Sequence, residues 1–251
     1  MSLRLVGVSR SFAGVAAVRD VSLGVAAGEV LAVVGPNGAG KSSIVNLLSG
    51  TIRPDSGRVL LGDRDLTGSV PAAFGAAGVV RTFQSVRLFE GMDALDNVLV
   101  GAHRGARLPL VGALLRTPGF RRAERARRDR AEAALEALGM RWAARQAVGA
   151  LSHGQRRRIE LARAFAAQPC FLVLDEPGAG LDPETVVVIA AAVRAQAAGG
   201  TGVLLVEHDR GLVERLADRV VGLVAGSVAA SGSWAQVAAH PDIASQLAAA
   251  Q

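Results

Sequence analysis

The feature that most constrains the fold is the octapeptide GPNGAGKS, residues 35 to 42. It follows a short apolar run, Val30 to Val34, and opens a segment with helical periodicity, Lys41 to Ser49. A G-x-x-x-x-G-K-S pattern between a strand and a helix is typical of a phosphate-binding loop. Its glycines let backbone N–H groups converge on an anion, and the helix N-terminus adds a positive dipole end. The pattern therefore predicts an α/β protein with a nucleotide site.

The lysine of this loop stands out in the composition. It is the single lysine among 28 basic Lys and Arg residues. An arginine fork is bulkier and planar, so a position that keeps lysine indicates a site where arginine does not fit. Lys41 is predicted to reach the β- and γ-phosphates, and the Ser42 hydroxyl to bind Mg²⁺. The other nucleotide contacts predicted in this segment are Gly35, Asn37, Gly38, Ala39, Gly40 and Ser43.

A second apolar run, Phe171 to Leu174, ends in the adjacent carboxylates Asp175 and Glu176. Open α/β sheets bind ligands at the carboxyl ends of their strands, which is where this pair is predicted to lie. We expect Asp175 to hold the metal ion, and Glu176 to polarise the attacking water. Two acids at this place are also common as the start of a helix, but the upstream phosphate-binding loop favours the chemical role.

Strand-like and helix-like segments alternate at both ends of the chain, which predicts a mostly parallel sheet. Residues 1–84 and 168–251 are predicted to form the catalytic core with a small antiparallel β subdomain. Between them, residues 85–167 show helical periodicity and are predicted to form an inserted helical subdomain.

Three segments between and after these motifs carry finer expectations. Residues 121–139 predict one amphipathic helix, and residues 104–119 predict a loop or a broken pair of helices. Residues 220–239 carry no charge, but their glycines favour two short strands and a turn, with a helix from about Trp234. The apolar side of the amphipathic helix is predicted to consist of Ala123, Ala126, Ala134, Leu135 and Leu138.

Composition sets weaker limits. The formal net charge of +6 comes from arginines spread along the chain and is accompanied by 22 acidic residues, so no nucleic acid partner is expected. The single cysteine, Cys170, excludes an internal disulfide framework. The N-terminus MSLRLVGVSRSF does not have the pattern of a signal peptide. We expect a soluble chain whose membrane role, if any, comes through a partner.

The segment LSHGQRRRIELARAF, residues 151–165, resembles the signature motif of ATP-binding-cassette (ABC) ATPases, usually written LSGGQ. Together with GPNGAGKSS, RTFQ, LDEP, GLDP and VEHD, in the order that the family shows, the resemblance covers almost the whole chain. It implies a P-loop (RecA-like) nucleotide-binding core with a small antiparallel β subdomain and an inserted α-helical subdomain. The implied cofactors are ATP and Mg²⁺, and the implied activity is ATP hydrolysis.

The resemblance also implies roles for individual residues within one subunit. Gln84, which ends RTFQ, would contact Mg²⁺ and the attacking water, and would couple the core to the helical block. His208 would reach the γ-phosphate. Phe12, before the turn at Ala13 and Gly14, would stack on adenine, although a phenylalanine here also fits a core position.

The remaining implied roles concern a second subunit. Ser152, Gly154 and Gln155 would bind the γ-phosphate of an ATP held by the opposite cassette, and Asp182 would lie at the dimer seam. This chain departs from the family motif at His153, which replaces the first glycine of a Gly-Gly pair. We expect the site to work, because position 154 is still glycine.

A finer resemblance, to the ATP-binding subunits of branched-chain amino acid importers, rests on residues 79–107, 114–125 and 206–243. It implies permease subunits, a second cassette, an extracytoplasmic substrate-binding protein, and a place on the cytoplasmic face of the cell membrane. Importers of urea or short amides share much of this pattern. The motifs also leave open a soluble cassette that acts on DNA or ribosomes, and a regulatory subunit without turnover.

Overall fold

The computed structural model describes residues 1–103 and 117–244, and they form two compact units. Of the described residues, the first consists of 1–84, 170–180 and 193–244, and the second of 85–103, 117–169 and 181–192. The strands are β1 (Ser2–Phe12), β2 (Val15–Ala26), β3 (Val30–Val34), β4 (Ser56–Leu61), β5 (Arg64–Asp65), β6 (Val79–Arg81), β7 (Phe171–Asp175), β8 (Gly202–Val206), β9 (Arg219–Val224) and β10 (Ser227–Gly232). The helices are α1 (Lys41–Leu48), α2 (Pro71–Ala77), α3 (Ala94–Ala102), α4 (Pro118–Ala137), α5 (His153–Ala166), α6 (Pro183–Ala198), α7 (Arg210–Leu216) and α8 (Trp234–Ala238).

The larger sheet of the first unit has six strands in the order β10-β9-β3-β8-β7-β6. All neighbours pair in parallel except β10 with β9, which form an antiparallel hairpin. Every residue of β3, β7 and β8 is buried, as expected of parallel strands that are covered on both faces. Because these strands run in one direction, their carboxyl ends meet at one edge of the sheet.

The smaller sheet is antiparallel and has the order β2-β1-β4-β5. Its long hairpin, β1 with β2, turns at Ala13 and Gly14, both of which have positive φ. Alternation along β1 buries Leu3 and Leu5, and Val8 is buried after a register shift between Leu5 and Val8. The mostly parallel sheet and the smaller antiparallel sheet therefore match the predicted core and β subdomain of the fold class.

The core of the first unit lies on both faces of the six-stranded sheet. On one face, Leu31 and Val33 of β3 pack with Leu47 of α1 and with apolar residues of the smaller sheet. On the other face, Ala32 and Val34 pack with a second apolar cluster that includes Val213, Val220, Val237 and Ile243. Because successive side chains of β3 point to opposite faces of the sheet, the strand contributes residues to both apolar clusters.

The second unit contains α3, α4 and α5. Asp93 caps α3 by accepting a hydrogen bond from the N–H of Asp96 (2.7 Å). In α5, the Arg157 guanidinium donates to the Glu160 carboxylate at 2.7 Å, and both side chains are almost completely buried. In the part of the chain that is described, no helix combines the length and the apolar character needed to cross a membrane.

Most predicted elements are present, with different ends. The helix predicted at residues 121–139 begins earlier, at Pro118, because Thr117 caps it and proline suits the first helical position. Its predicted apolar side is wrong at Ala123 and Ala126, which are exposed, since the buried stripe includes Arg127 instead. Residues 220–239 form β9, β10 and α8, as predicted. The prediction for residues 104–119 lies outside the described residues up to position 116.

The two units do not coincide with the predicted domain limits. The second unit extends to Pro169 and also includes residues 181–192, which the strand and helix pattern had placed in the core. These residues contain the start of α6, and that helix ends in the first unit. The predicted division into core and helical subdomain stays a proposal.

Candidate nucleotide-binding site

The sheet register places four predicted site segments at one edge. Val33 of β3 pairs with Val206 of β8, and Val206 pairs with Asp175 of β7. Arg81 of β6 pairs with Val173, two residues before the end of β7. The phosphate-binding loop, the His208 segment, Glu176 and the segment with Gln84 therefore leave neighbouring strands in that order. This is the edge at which open α/β sheets bind ligands.

The loop after β3 has the backbone of an anion cradle. Gly35, Gly38 and Gly40 all have positive φ, and Gly40 is the N-cap residue of α1. A Cβ atom at Gly35 would meet the carbonyl oxygen of Leu223, and one at Gly40 would meet that of Ala17. Because Gly40 has no side chain, it cannot cap the first turn of α1, and the N–H groups of that turn keep the capacity to bind an anion.

Lys41 folds back over this loop. Its Nζ donates hydrogen bonds to the carbonyl oxygens of Gly35 (2.7 Å) and Pro36 (2.8 Å). Burial lowers the pKa of Lys41 below its ordinary value, while the charges of Glu176 and Asp175 act in the opposite direction. The ammonium thus lies between two carbonyls of the loop and within the field of both acidic side chains.

The glycines give a testable contrast. Alanine at position 40 would bring its Cβ within 2.5 Å of the Ala17 carbonyl oxygen, whereas alanine at position 38 would meet no atom of the described residues within 4 Å. Both changes force a non-glycine residue to adopt positive φ, which costs about 1–2 kcal/mol of stability. We expect Gly40→Ala to lower the free energy of unfolding by about 2–4 kcal/mol and to weaken ADP binding, and Gly38→Ala to cost about 1–2 kcal/mol.

Urea unfolding and calorimetric ADP binding measure this difference. Gly38→Ala is the matched control, because it carries the same chemical change and a similar φ without the overlap. Equal losses in the two variants would contradict the tight packing of the cradle at Gly40.

Asp175 ends β7 and is nearly buried. Its Oδ2 accepts a hydrogen bond from the Arg81 guanidinium at 3.2 Å. The same guanidinium donates to Asn46 Oδ1 of α1 at 2.6 Å. The contacts of Arg81 thus join the acidic strand to the helix that follows the phosphate-binding loop, a role that no motif in the sequence indicates.

Glu176 lies between two of the predicted site residues. Its Oε2 accepts a hydrogen bond from Gln84 Nε2 at 3.0 Å, and its Oε1 lies 3.9 Å from His208 Nδ1. Its φ is +47°, a strained conformation for a residue with a side chain, and such strain is concentrated at functional sites. The structure therefore brings Gln84, Glu176 and His208 together.

Phe12 lies at the end of β1, and 42% of its surface is exposed. The Arg10 guanidinium lies 4.9 Å from the centre of the ring, and Arg10 is held by an ion pair with Asp55 (2.6 Å). The exposure rules out a core position, so the ring has a face that can receive a ligand.

The signature segment belongs to the second unit and is built as a capped helix start. Ser152 Oγ accepts from the N–H of Gln155 (3.3 Å), and Gln155 Oε1 accepts from the N–H of Ser152 (2.8 Å). This capping box uses the Gln155 side chain, so a ligand would compete with it. None of the described residues crowds Gly154, because a Cβ there would keep ordinary contact distances from Thr185 and Leu181. Packing among the described residues therefore does not require glycine at this position.

Asp182 also has a role within the second unit. Its Oδ1 accepts a hydrogen bond from the N–H of Thr185 at 2.8 Å, at the start of α6. The hydrogen bonds from Thr185 lower the pKa of Asp182 below its ordinary value. The residue is exposed, so the structure leaves it accessible for the predicted place at a dimer seam.

The donors available to a metal ion are oxygens of mixed type. Within residues 1–103 and 117–244, no three His, Cys, Asp or Glu side chains cluster in a way that could hold a metal. Ser42 is exposed at the start of α1, and Asp175 lies at the end of β7. A hydroxyl and a carboxylate beside a phosphate cradle fit Mg²⁺, which takes few protein ligands and shares the phosphates of its substrate.

Comparisons with known proteins agree with this geometry. A family model described as "ABC transporter" matches residues 18–179. The high-affinity branched-chain amino acid transport ATP-binding protein LivG of Escherichia coli is 39% identical over 238 residues, covering 94% of this chain and 93% of that protein. The corresponding protein BraF of Pseudomonas aeruginosa is 38% identical, covering 96% of this chain and 95% of that protein. The resemblance found in the sequence is therefore confirmed.

Solved structures show the same fold. An ATP-binding cassette of an ABC transporter in its ADP conformation has 30% identity and a TM-score of 0.80, covering 99% of this chain and 95% of that chain. A dimeric bacterial ABC transporter cassette has 25% identity and a TM-score of 0.77, covering 92% of this chain and 98% of that one. ATP hydrolysis is the characteristic activity of such cassettes, and the chain described here belongs to the ABC transporter family as an ATP-binding subunit.

Proposed function

We propose that this chain hydrolyses ATP at the edge formed by β3, β8, β7 and β6, and that hydrolysis powers the uptake of branched-chain or other hydrophobic amino acids through permease subunits. The observation that carries the site is the grouping of Gln84, Glu176 and His208, in the segments that follow β6, β7 and β8, at the same sheet edge as the phosphate-binding loop. The substrate class is supported by the relatives LivG and BraF, which are branched-chain amino acid transport proteins by name.

The geometry supports a step for each residue. The glycine loop and Lys41 hold the β- and γ-phosphates, so that the γ-phosphorus is fixed opposite Glu176. Glu176 accepts the proton of a water molecule whose oxygen forms a bond to the γ-phosphorus. The bond from that phosphorus to the β–γ bridging oxygen breaks, giving ADP and inorganic phosphate. Gln84 orients the water, and His208 donates a hydrogen bond to the γ-phosphate.

Mg²⁺ would be held by the Ser42 hydroxyl, the Asp175 carboxylate and the side-chain amide oxygen of Gln84. When bound, the ion neutralises charge that develops on the phosphates. Gln84 donates its amide N–H to Glu176, and its carbonyl oxygen is then the atom available to a metal. We propose the same adenine contact for Phe12 as the sequence resemblance implies.

The Phe12 contact makes a separate prediction. Stacking of a base on an aromatic ring is worth about 1–3 kcal/mol, so we expect Phe12→Ala to weaken ATP binding about tenfold. Binding of inorganic tripolyphosphate, which has no base, should not change. Phe12→Trp should keep ATP affinity, and Val15→Ala, at an exposed position on the same hairpin, is the control. A loss of tripolyphosphate affinity equal to the loss for ATP would contradict stacking.

We further propose that two cassettes enclose two ATP molecules. Each ATP is held by the phosphate-binding loop of one copy and contacted by Ser152, Gly154 and Gln155 of the opposite copy, with Asp182 at the seam. The uncrowded Gly154 and the dimeric cassette that shares this fold support the proposal. The pair would act at the cytoplasmic face of the membrane, bound to the permease and served by an extracytoplasmic substrate-binding protein.

Uptake of labelled leucine in the source cells tests the substrate class. With Lys41→Ala in place of the wild-type chain, we expect leucine uptake to be lost, because the permease loses its energy source. In wild-type cells unlabelled valine should compete, and urea and short amides should not. If leucine uptake persists while urea or amide uptake is lost, the related urea and amide importers become the correct assignment.

A further inference from the structure

A carboxylate to which the hydrolysis mechanism assigns no step is buried at the end of β8. Glu207 directly follows Val206 and is 1% exposed. Its Oε1 accepts a hydrogen bond from the N–H of Gly178 at 2.9 Å. Its Oε2 accepts from the N–H groups of His208 (3.1 Å) and Asp209 (3.3 Å). Three backbone amides thus offset the cost of burying the charge.

These amides belong to two different segments of the first unit. Gly178 lies two residues beyond Glu176, whereas His208 and Asp209 begin the segment after β8. The side chains of Leu212 and Glu207 pack closely against the backbone of Gly178. A Cβ at Gly178 would lie 2.8 Å from Leu212 Cδ2 and 3.1 Å from Glu207 Oε1. One side chain therefore fixes the backbone beyond Glu176 relative to the backbone of His208.

A carboxylate suits this role better than a neutral side chain. It has two acceptor oxygens and no donor, so both sides can receive N–H groups. Glutamine in the same place would present an NH₂ group to one set of amides. Burial raises the pKa of Glu207, and the three amides together with His208 act against that rise.

The position of His208 depends on this backbone. Its imidazole is 66% exposed, so few packing contacts hold the ring, yet Nδ1 lies 3.9 Å from Glu176 Oε1. The following helix has its own anchor, because Asp209 Oδ1 accepts from the N–H of Leu212 at 2.6 Å and caps α7. Loss of the Glu207 carboxylate should therefore displace the backbone at His208 more than it displaces α7.

We propose that Glu207 is a positioning residue for ATP hydrolysis: its carboxylate fixes the backbones of Gly178, His208 and Asp209, so that His208 and Glu176 face the γ-phosphate together. The proposal rests on the proposed function of ATP hydrolysis at this edge of the sheet. It assigns Glu207 no contact with substrate, and its effect passes through His208.

The first test compares Glu207→Gln with Glu214→Gln, the same change at an exposed position of α7. We expect Glu207→Gln to lower kcat roughly 10- to 100-fold, the scale of a misplaced group near the reacting atoms. KM for ATP and the Kd for ADP should change less than about twofold, because the phosphate-binding loop is intact. Glu214→Gln should match wild type. An unchanged kcat would overturn the proposal. So would a loss in ADP affinity as large as the loss in kcat.

A double-mutant cycle with His208→Ala separates positioning from general damage. If Glu207 acts through His208, Glu207→Gln should lower kcat several-fold less in the His208→Ala background than in wild type. Full additivity of the two effects would overturn the proposal. By contrast, a wild-type chain that binds ADP but never hydrolyses ATP would overturn the proposed function instead.

Amide hydrogen exchange of the unmodified chain tests the contacts without any variant. The N–H groups of Gly178, His208 and Asp209 each donate to the buried carboxylate. They should exchange at least about tenfold more slowly than the amide of exposed Arg210, which begins α7 and has no acceptor within that helix. Exchange of all three at the rate of Arg210 would overturn the proposal, whether or not Glu207→Gln folds.

Discussion

Replacing Lys41 by alanine is expected to lower the rate of ATP hydrolysis about 10³-fold, because the β- and γ-phosphates lose the single ammonium that lies in the loop. The Nζ atom donates to the carbonyl oxygens of Gly35 and Pro36, and these two hydrogen bonds fix the ammonium within the loop. We expect ATP affinity to fall as well, by about tenfold. A coupled assay of phosphate release and calorimetric ATP binding measure the two effects.

Lys41→Arg separates charge from shape. It keeps the positive charge but replaces a compact ammonium by a planar fork that must fit between two carbonyls 2.7 and 2.8 Å from the present nitrogen. We expect it to be almost as inactive as the alanine variant. Arg64→Ala, which removes an exposed cation from β5, is the control and should match wild type. A fully active Lys41→Arg would contradict the explanation for the single lysine.

Replacing Glu176 by glutamine is expected to lower hydrolysis about 10²- to 10³-fold while leaving ATP binding intact. An amide cannot accept the proton of the attacking water, but it can keep the hydrogen bond with Gln84 that now measures 3.0 Å. Because bound ATP then persists, the proposed ATP-enclosing dimer should accumulate. Size-exclusion chromatography with ATP should show a dimer, and with ADP a monomer.

The control for the dimer is Glu136→Gln, the same change at an exposed position of α4. It should hydrolyse ATP normally and should not accumulate as a dimer. If Glu176→Gln loses hydrolysis but stays monomeric at saturating ATP, Glu176 keeps its role and the proposed enclosure of ATP by two copies is wrong.

Those parts of the fold that depend on local pattern could be predicted from the sequence. The fully apolar run at Val30–Val34 forms β3 with those limits, and the helix predicted from Lys41 begins at that residue as α1. Helix ends were predicted less well: the helix expected at residues 121–139 spans Pro118–Ala137, with Thr117 as its N-cap. The burial of Arg127 was not predictable, because periodicity alone gives no reason to bury a cation among alanines and leucines.

The grouping of the site followed from the sheet rather than from any single motif. Once β3, β8, β7 and β6 are parallel neighbours, the residues that follow them must meet at one edge. Arg81 and Glu207 were missed because their roles depend on partners far along the chain, Asp175 and Gly178. The signals for Glu207 were its place in the VEHD motif and its position directly after a wholly apolar strand.

A crystal structure of Glu176→Gln with ATP and Mg²⁺ would test the proposed site most directly. We expect the γ-phosphate to lie within hydrogen-bond distance of Lys41 and His208 of one copy and of Ser152 and Gly154 of the other. We also expect Ser42 and Asp175 to lie beside the metal ion. An ATP bound elsewhere on the chain, or a γ-phosphate that contacts neither Lys41 nor His208, would contradict ATP hydrolysis at this edge of the sheet.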